Sequence, residues 1–266
     1  MMRLKDKVAI ITGGGKNIGK KMAIIFAQEG AVVVIVSRTL SDLEATCKEI
    51  QDKGGKIAFI QADISIEEQV KHVVSETAKK FGRIDILINN TGIAGPTTKV
   101  ADMDLSQWNE TLAINLTGSM LCAREVLRYM IPRRSGVIIN IVSEAGRAGD
   151  GRAGYPMRSA YCCSKMGQIG LTETLAVEAG EYNIRVNAVS PGPIQGERIL
   201  NVVRQRALAT KTSLDEMLRD LASNCSLQRL ATEEEVAAVA LFLASDEASG
   251  VTGQTIPVSC GQHMSF

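Results

Sequence analysis

The sequence predicts an α/β protein built on a doubly wound parallel sheet of about seven strands, with helices on both faces. Short β-branched runs alternate along the chain with longer segments of helical periodicity. The runs are apolar at consecutive positions, as expected of strands covered on both faces. With 266 residues, of which 45% are hydrophobic, the chain suits one large domain, residues 1–266, better than two small ones.

The elements are predicted in chain order from the period of the apolar residues. The predicted strands are 8–12, 32–36, 57–61, 84–89, 137–142, 184–189 and 255–258. The predicted helices are 17–29, 41–53, 66–81, 105–130, 160–180 and 232–245. Segment 190–231 departs from this alternation, because it carries one or two helical patterns and no strand pattern. Near the carboxyl ends of the strands, such an excursion is either a lid over a ligand crevice or a packing appendage.

The charge balance gives no reason to expect a nucleic-acid or membrane partner. The formal net charge is +1, from 30 basic and 29 acidic residues, so no global field attracts a polyanion or a membrane surface. The charged start MMRLKDK precedes only five strand-like residues, which are too few for the apolar core of a signal peptide. No stretch approaches the ~18 apolar residues of a membrane span. The sequence therefore predicts a cytoplasmic protein.

Metal chemistry and serine-hydrolase chemistry have no recognisable basis in the sequence. His72 and His263 have no ligand-spaced cysteines or acids beside them, so no metal site is expected. The six cysteines lack CxxC spacing and are predicted to be free thiols, mostly packed as small apolar side chains. No GxSxG motif indicates a nucleophile elbow.

A glycine-rich loop follows the first predicted strand. Residues 13–19 read GGGKNIG and lead directly into the first predicted helix. This order places glycines and the free N–H groups of a helix start where a pyrophosphate can approach. The loop is not a Walker-type phosphate loop, because no Ser or Thr follows Lys16 at the required spacing. The position of the loop therefore indicates a dinucleotide cofactor.

The end of the second strand indicates which dinucleotide is bound. A dehydrogenase that binds NAD usually places an acidic residue there, where it accepts from the ribose 2′-OH. Here the strand ends in Val36-Ser37-Arg38. A hydroxyl followed by a guanidinium can hydrogen-bond a 2′-phosphate, and Lys16 can add a second positive charge. The predicted cofactor is therefore NADP(H) rather than NAD(H).

Several further short motifs stand at the ends of predicted strands or within predicted helices. They are Thr12-Gly13 with Gly19, Asp63, Asn89 to Gly92, Asn115, Ser143, Tyr161 with Lys165, and Pro191-Gly192. Each is common by chance, but in this order and placement the chain resembles the short-chain dehydrogenase/reductase family over essentially its whole length, in particular the 3-oxoacyl-carrier-protein reductases. The resemblance implies a Rossmann-type fold and, commonly, a homotetramer.

The resemblance also implies which residues meet the cofactor. Asp63 would lie beside the adenine, Asn89 to Gly92 would support the sheet and the adenosine ribose, and Ile194 would meet the nicotinamide carboxamide. The expected cofactor-binding residues are Gly13, Gly15, Lys16, Asn17, Ile18, Gly19, Ser37, Arg38, Asp63, Ile64, Asn90, Gly92, Tyr161, Lys165, Pro191, Gly192 and Ile194.

Three positions depart from the pattern of the family. Asn17 stands in place of the middle glycine of the loop, Thr91 in place of the usual alanine, and Gly196 in place of a threonine often found five residues after the proline. The first two are expected to change cofactor affinity rather than chemistry. The third leaves one carboxamide contact unassigned.

Four residues are the candidates for catalysis. Tyr161 and Lys165 stand four apart in a helical pattern, so both project from one face. A tyrosine exchanges its proton poorly at neutral pH, and a nearby ammonium favours the phenolate, so Lys165 is the expected tuning charge. Ser143 follows the fifth strand and can donate to an oxygen on which charge develops. By the resemblance, Lys165 also holds the nicotinamide ribose, and Asn115 anchors a water chain that resupplies the proton.

These assignments predict an NADP(H)-dependent oxidoreductase that interconverts a carbonyl and a secondary alcohol, with Tyr161 as general acid/base. The substrate stays open between a 3-oxoacyl thioester and a sugar, a polyol or a small anionic hydroxy compound. The alternative from another class is a non-catalytic protein of the same fold that binds NADP(H) as a redox signal. The intact Ser143, Tyr161 and Lys165 argue against that alternative.

The spacing between Ser143 and Tyr161 is eighteen residues, whereas the family more often has about a dozen between them. The extra length lies in 144–160, which must pass beside the active site. The charged residues of this segment and of the facing lid are Arg147, Arg152, Arg158, Glu144, Asp150 and Arg198. Guanidinium groups suit carboxylates, phosphates and sulfonates, so an anionic or anion-tailed substrate, including a phosphopantetheine thioester, is one hypothesis. Solvated loop charges or subunit contacts are the other.

Overall fold

The computed structural model describes residues 2–145, 155–210 and 213–262. Seven strands form one sheet in which every neighbouring pair is parallel. The strands are β1 (Val8–Thr12), β2 (Val32–Ser37), β3 (Lys56–Gln61), β4 (Ile86–Asn89), β5 (Gly136–Ile141), β6 (Ile184–Pro191) and β7 (Thr255–Val258). Their spatial order is β3-β2-β1-β4-β5-β6-β7, so the winding reverses between β1 and β4. In open sheets of this kind, ligands bind at that reversal, beyond the carboxyl ends of the strands.

The described residues also form nine α-helices. They are α1 (Asn17–Gln28), α2 (Leu40–Asp52), α3 (Glu67–Phe81), α4 (Leu105–Leu112), α5 (Gly118–Arg133), α6 (Ser159–Gly180), α7 (Glu197–Thr210), α8 (Leu214–Ser223) and α9 (Glu233–Ala244). Helices α1, α2 and α9 pack on one face of the sheet, against side chains such as Ile11 and Ile35. Helices α3, α5 and α6 pack on the other, against Ile10 and Val34. Successive strand residues therefore enter opposite cores, which explains why the strands are apolar at consecutive positions.

The predicted fold class is confirmed, and most of the predicted bounds are close. The strands differ from the prediction by at most two residues at either end, and five of the six predicted helices differ by one. The exception is the helix predicted over 105–130, which is divided into α4 and α5 by a π-helical turn at Ala113–Thr117. A π turn is a single local change of register, and the apolar period does not reveal it.

The segment between β6 and α9 contains α7 and α8 and, among its described residues, no strand of the sheet. Ile194 forms an isolated parallel bridge with Ala231, and the Gln195 N–H donates to the carbonyl of Ala231 at 2.8 Å. The beginning and the end of the excursion are thereby tied together. None of the described helices is long and apolar enough to cross a membrane.

One buried carboxylate joins three elements at the amino end of the sheet. Asp85, 4% exposed, accepts from the Val8 N–H at the start of β1 at 2.8 Å. It also accepts from Nε and Nη2 of Arg83 at 2.7 and 2.6 Å, and from Arg133 at the end of α5 at 3.1 Å. Burial by itself raises the pKa of Asp85, but these hydrogen bonds outweigh it and leave the pKa below its ordinary value. The charge is therefore held ionised in the fold.

Candidate active site

A cavity of about 850 Å³ lies at the carboxyl ends of the strands. Every residue predicted to contact the cofactor lines it, and so does Ser143. Asn115 is fully buried and lies behind the wall formed by Gly92, where an added Cβ would come within 3.3 Å of its Oδ1 atom. The volume lies within the range of roughly 300–1,000 Å³ that is usual for small-molecule and cofactor sites.

The glycine loop leaves room for an anion at the start of α1. Gly13 has φ +65°, and a Cβ on Gly19 would lie 2.1 Å from the Gly13 carbonyl oxygen, so neither position accepts a side chain without movement. Asn17, the departure from the family pattern, has φ +49°, a conformation that Asn adopts more readily than most residues. No side chain among the described residues caps the first turn of α1. The loop and its free N–H groups fit a pyrophosphate.

The loop after β4 is tied to the glycine loop. Asn90 Nδ2 donates to the carbonyl oxygens of Thr12 at 3.0 Å and Gly13 at 3.3 Å. The Thr12 hydroxyl in turn accepts from the N–H groups of Asn90 and Thr91 at 3.0 and 3.1 Å. The two loops on either side of the winding reversal therefore hold each other. Thr12 was singled out as part of a motif, but its linking role was not predicted.

The predicted 2′-phosphate end carries two cations, each beside a carboxylate. The Arg38 guanidinium is 58% exposed and lies 3.5 Å from Asp63, while Lys16 Nζ lies 3.7 Å from Asp42. Burial raises the pKa of Asp63, but hydrogen bonds from Ser65 and the charge of Arg38 outweigh it, and the pKa lies below its ordinary value. Both cations and both acids line the cavity, so each positive charge at this end has a negative charge near it.

Two cations lie close to the ring of Tyr161 near the start of α6. The Arg158 guanidinium carbon lies 5.2 Å from the centre of the Tyr161 ring, and Lys165 Nζ lies 5.9 Å from it. Arg158 is 7% exposed and donates to Thr97 Oγ1 at 3.2 Å. The sequence predicted the Lys165 contact from the four-residue spacing. It did not predict that Arg158 lies against the ring, although the i, i+3 spacing is consistent with that contact.

Buried hydrogen bonds fix Asn115 and Lys165. Asn115 accepts from the Ile93 N–H at 2.8 Å, and its Nδ2 donates to the Ile93 carbonyl and to Ser164 Oγ, each at 3.0 Å. Lys165 Nζ donates to the Ile141 carbonyl and to Gln168 Oε1, each at 2.8 Å. Gln168 was not predicted as a site residue, though it stands one helical turn after Lys165.

Two carboxyl groups in the cavity wall were also not assigned from the sequence. Glu144, directly after Ser143, is 3% exposed. Glu233, the first residue of α9, has an oxygen 3.7 Å from where a Cβ on Gly196 would lie, and burial raises its pKa. The carboxyl of Glu233 therefore lies beside the position where the family often has threonine. The only signal for Glu233 in the sequence was its position at the start of a predicted helix.

Of the arginines in the anion hypothesis, the structure describes the side chain of Arg158 alone. Arg147, Asp150 and Arg152 lie outside the described residues, as does His263, and the side chain of Arg198 is also outside them. Arg158 lines the cavity together with Tyr155. The hypothesis of an anionic substrate therefore stays a prediction.

A parallel sheet with a glycine-rich first crossover and a cavity at its winding reversal defines a Rossmann-type, dinucleotide-binding protein. The family model described as enoyl-(acyl carrier protein) reductase matches residues 13–263. The chain belongs to the short-chain dehydrogenase/reductase family. It is an oxidoreductase of the kind that uses a nicotinamide cofactor to interconvert carbonyl and alcohol groups.

Two relatives from Thermotoga maritima illustrate the similarity. The chain is 38% identical over 263 residues to the 3-oxoacyl-[acyl-carrier-protein] reductase FabG, covering 98% of this chain and 99% of the relative. It is 37% identical over 260 residues to an uncharacterized oxidoreductase, covering 98% of both.

Solved structures with the same architecture bind either nicotinamide cofactor. Levodione reductase superposes with a TM-score of 0.91 at 33% identity, covering 98% of each chain. NAD⁺-bound xylitol dehydrogenase gives a TM-score of 0.90 at 32% identity, covering 97% of this chain and 100% of the other. An actinorhodin polyketide ketoreductase with NADPH gives 0.89 at 28% identity, covering 96% and 97%. These neighbours leave the choice between NAD and NADP open.

Proposed function

We propose that the protein is an NADP(H)-dependent enzyme in which Tyr161 exchanges the proton as a carbonyl and a secondary alcohol are interconverted. The observation that carries this proposal is that Ser143, Tyr161 and Lys165 line the same cavity as the glycine loop. Bound cofactor and bound substrate would therefore share one space. The cofactor supplies or receives the hydride when it is bound.

The residues around Arg38 support NADP(H) over NAD(H). The position after β2 holds a guanidinium instead of an acid, and the second cation, Lys16, lines the same cavity. Together with the Ser37 hydroxyl they would hold a 2′-phosphate, while the Gly13 to Gly19 loop would hold the pyrophosphate. Asp42 and Asp63 each offset part of this positive charge, so we expect a preference for NADP(H) rather than exclusive use of it.

The catalytic roles follow from chemistry that these side chains can perform. Ser143 would donate a hydrogen bond to the substrate oxygen, and Tyr161 would give its proton to that oxygen in reduction or take it in oxidation. Lys165 would favour the phenolate through its charge and hold the nicotinamide ribose. Asn115, fixed by three hydrogen bonds to Ile93 and Ser164, would anchor the water chain that returns the proton.

The helices α7 and α8 are proposed to act as a lid over the substrate end of the cavity, within segment 190–231. Ile199 and Val202 of α7 and Leu221 of α8 line the cavity, together with the polar Asp220 of α8 and Asn224 just after it. A mostly apolar inner surface with a few polar groups suits a carbon skeleton that carries a hydroxyl or carbonyl group. Among the substrates left open, the FabG-like similarity favours a 3-oxoacyl thioester.

A homotetramer is proposed for the assembled enzyme. Apolar side chains are exposed on neighbouring helices. Leu105 on α4 is 69% exposed, and Met166 and Val177 on α6 are 42% and 82% exposed. An exposed apolar helical face is a usual feature of a subunit contact. Light scattering of the purified protein measures this directly.

A coenzyme-oxidation screen tests the proposed function. NADPH and NADH consumption would be followed with panels of ketones, ketoesters and ketoacyl thioesters, with Tyr161→Phe as the matched inactive control. We expect turnover with NADPH and at least one carbonyl class, and loss of that turnover in the variant. Tight NADPH binding without turnover of any substrate would instead support the redox-sensing alternative.

A further inference from the structure

A buried amide contacts Lys165 from within α6. Gln168 is fully buried, and its Oε1 atom accepts from Lys165 Nζ at 2.8 Å. The Ile141 carbonyl, at the end of β5, accepts from the same nitrogen at 2.8 Å. Lys165 itself is only 3% exposed. One side chain and one strand end thus fix the ammonium between them.

The other end of the Gln168 amide is also engaged. Its Nε2 atom donates to Ser119 Oγ at 2.7 Å, and that hydroxyl donates to the backbone carbonyl of Asn115 at 2.9 Å. Lys165 can only donate, so the amide oxygen must face it and the amide nitrogen must face Ser119. The order of donation from Lys165 through Gln168 and Ser119 to Asn115 is therefore fixed.

Glutamine is the side chain whose length and polarity this place requires. Its amide oxygen accepts a hydrogen bond and its amide nitrogen donates one. An aliphatic side chain does neither, and asparagine is one methylene shorter. A buried amide costs free energy unless both ends are hydrogen-bonded, and here both are. The position lies on the buried face of a helix, where a leucine would satisfy packing alone.

We propose that Gln168 is a positioning residue that holds the Lys165 ammonium at the site where it acts on Tyr161 and on the bound cofactor. The ammonium lies near the backbone of Gly92, because a Cβ built on Gly92 would be in van der Waals contact with Lys165 Nζ, at 3.5 Å. Gln168 therefore sets the place of Lys165 relative to the Gly92 loop and to Asn115. This inference rests on the role of Lys165 in the proposed function.

A purely structural role for Gln168 is the competing explanation, and the fold offers a matched control for it. Thr172, one turn later on α6, is equally buried, donates to the Gln168 backbone carbonyl at 2.7 Å and accepts from Asn140 at 2.8 Å. It belongs to the same polar network, in which its hydroxyl is hydrogen-bonded to Gln168 and Asn140. Thr172→Val therefore removes buried hydrogen bonds without removing the acceptor of Lys165.

The test compares Gln168→Met, Gln168→Glu, Thr172→Val and Tyr161→Phe with the unmodified enzyme. The readouts are kcat and KM for a ketone identified in the screen, the Kd of NADPH by fluorescence, and the melting temperature. In Gln168→Met we expect kcat to fall about 10²-fold, as displaced catalytic groups typically cause, with little change in KM for the ketone. Gln168→Glu keeps an oxygen in place and should turn over about tenfold faster than Gln168→Met. Thr172→Val should lower the melting temperature and leave kcat near normal.

Other results would overturn the inference. If Gln168→Met keeps normal kcat, or if Gln168→Glu is no better than Gln168→Met, Gln168 does not act through Lys165. If Gln168→Met and Thr172→Val lower both kcat and the melting temperature to a similar extent, the role of Gln168 is structural. A Tyr161→Phe variant with normal turnover would refute the proposed function separately. The NADPH Kd would then test the role of Gln168 independently. A higher Kd in Gln168→Met but not in Gln168→Glu would support the contact between Gln168 and Lys165. An unchanged Kd in Gln168→Met would refute it.

Discussion

Lys165 Nζ lies 5.9 Å from the centre of the Tyr161 ring, and the guanidinium carbon of Arg158 lies 5.2 Å from the same point. The three residues stand within two turns at the start of α6. Cations within about 6 Å of a ring are attracted to its face, so the contacts orient the ring itself and do not depend on the hydroxyl. A variant that keeps the ring should keep the local geometry.

Tyr161→Phe is therefore a clean test of the proton donor. The variant should bind NADPH with nearly unchanged Kd, because ring and cations remain in contact. Turnover should fall by the ~10²- to 10⁴-fold typical of a lost general acid or base. Steady-state kinetics and NADPH fluorescence titration measure the two quantities. Near-normal turnover would remove Tyr161 from the mechanism.

Cofactor choice is predicted to depend on the residues after β2. Replacing Ser37 by Asp and Arg38 by Leu puts a carboxylate where a 2′-phosphate would lie and removes the guanidinium. The double variant should lose kcat/KM with NADPH and gain it with NADH. Arg128→Leu is the matched control, since this arginine is similarly exposed, at 63%, and stands on α5 outside the lining of the cavity. An unmodified enzyme with a higher kcat/KM for NADH would show that Arg38 was wrongly assigned.

The sheet could be predicted from the sequence, and so could the grouping of the candidate residues around one cavity, because both depend on local pattern and chain order. Strands buried on both faces are apolar runs, and parallel strands bring their carboxyl ends to one edge. Gly13, Ser37, Ser143 and Tyr161 follow different strands or begin a helix, and they line one cavity for that reason. No knowledge of side-chain conformation was needed to expect this.

The contacts inside the site could not be predicted in the same way. Gln168 and Ser119 are hydrogen-bonded across 49 positions of the chain, which depends on how α5 and α6 pack. The π turn that carries Asn115 changes the register of one helix without changing its apolar period. Ion pairs such as that of Arg38 with Asp63 depend on side-chain rotamers at the ends of two neighbouring strands. These features follow from packing rather than from local pattern.

Stability should depend on the ionised carboxylate of Asp85. In Asp85→Asn, Arg83 and Arg133 lose an ionised acceptor but keep contact with solvent, so the expected cost is about 1.5–3 kcal/mol, the range for hydrogen bonds to a charged group. Because the folded-state pKa of Asp85 is lowered, its contribution is complete above the unfolded-state value and is lost as the pH falls through the folded-state value.

Urea unfolding at several pH values measures this effect. The difference in unfolding free energy between the unmodified protein and Asp85→Asn should be largest near pH 7 and should shrink in acid. Asp52→Asn is the control, because the Asp52 carboxylate is 64% exposed and 3.6 Å from Lys48. A surface pair of that kind contributes at most about 1 kcal/mol. A difference for Asp85→Asn that is small or independent of pH would contradict the prediction.

The charge of the substrate is tested at Arg158, which lines the cavity and is the arginine of segment 144–160 whose side chain the structure describes. Its guanidinium lies against Tyr161 and donates to Thr97, so it is close to the proposed reaction centre. Glu144 lines the same cavity, and the competing explanation is that Arg158 only supports the structure of the site. For an anionic substrate, Arg158→Gln should raise KM about tenfold, which corresponds to about 1.4 kcal/mol of lost binding. A neutral ketone should be affected much less.

Salt and a control variant separate the two explanations for Arg158. Attraction between the guanidinium and an anionic substrate is screened by salt, so the loss of affinity should be larger at low than at high ionic strength. Arg204→Gln, an exposed arginine of α7 that hydrogen-bonds Asn201, should change KM for neither substrate class. Arg158→Lys should retain part of the preference, because it keeps the charge but not the planar fork. Equal changes in KM for anionic and neutral substrates would show that Arg158 supports Tyr161 and does not select the substrate.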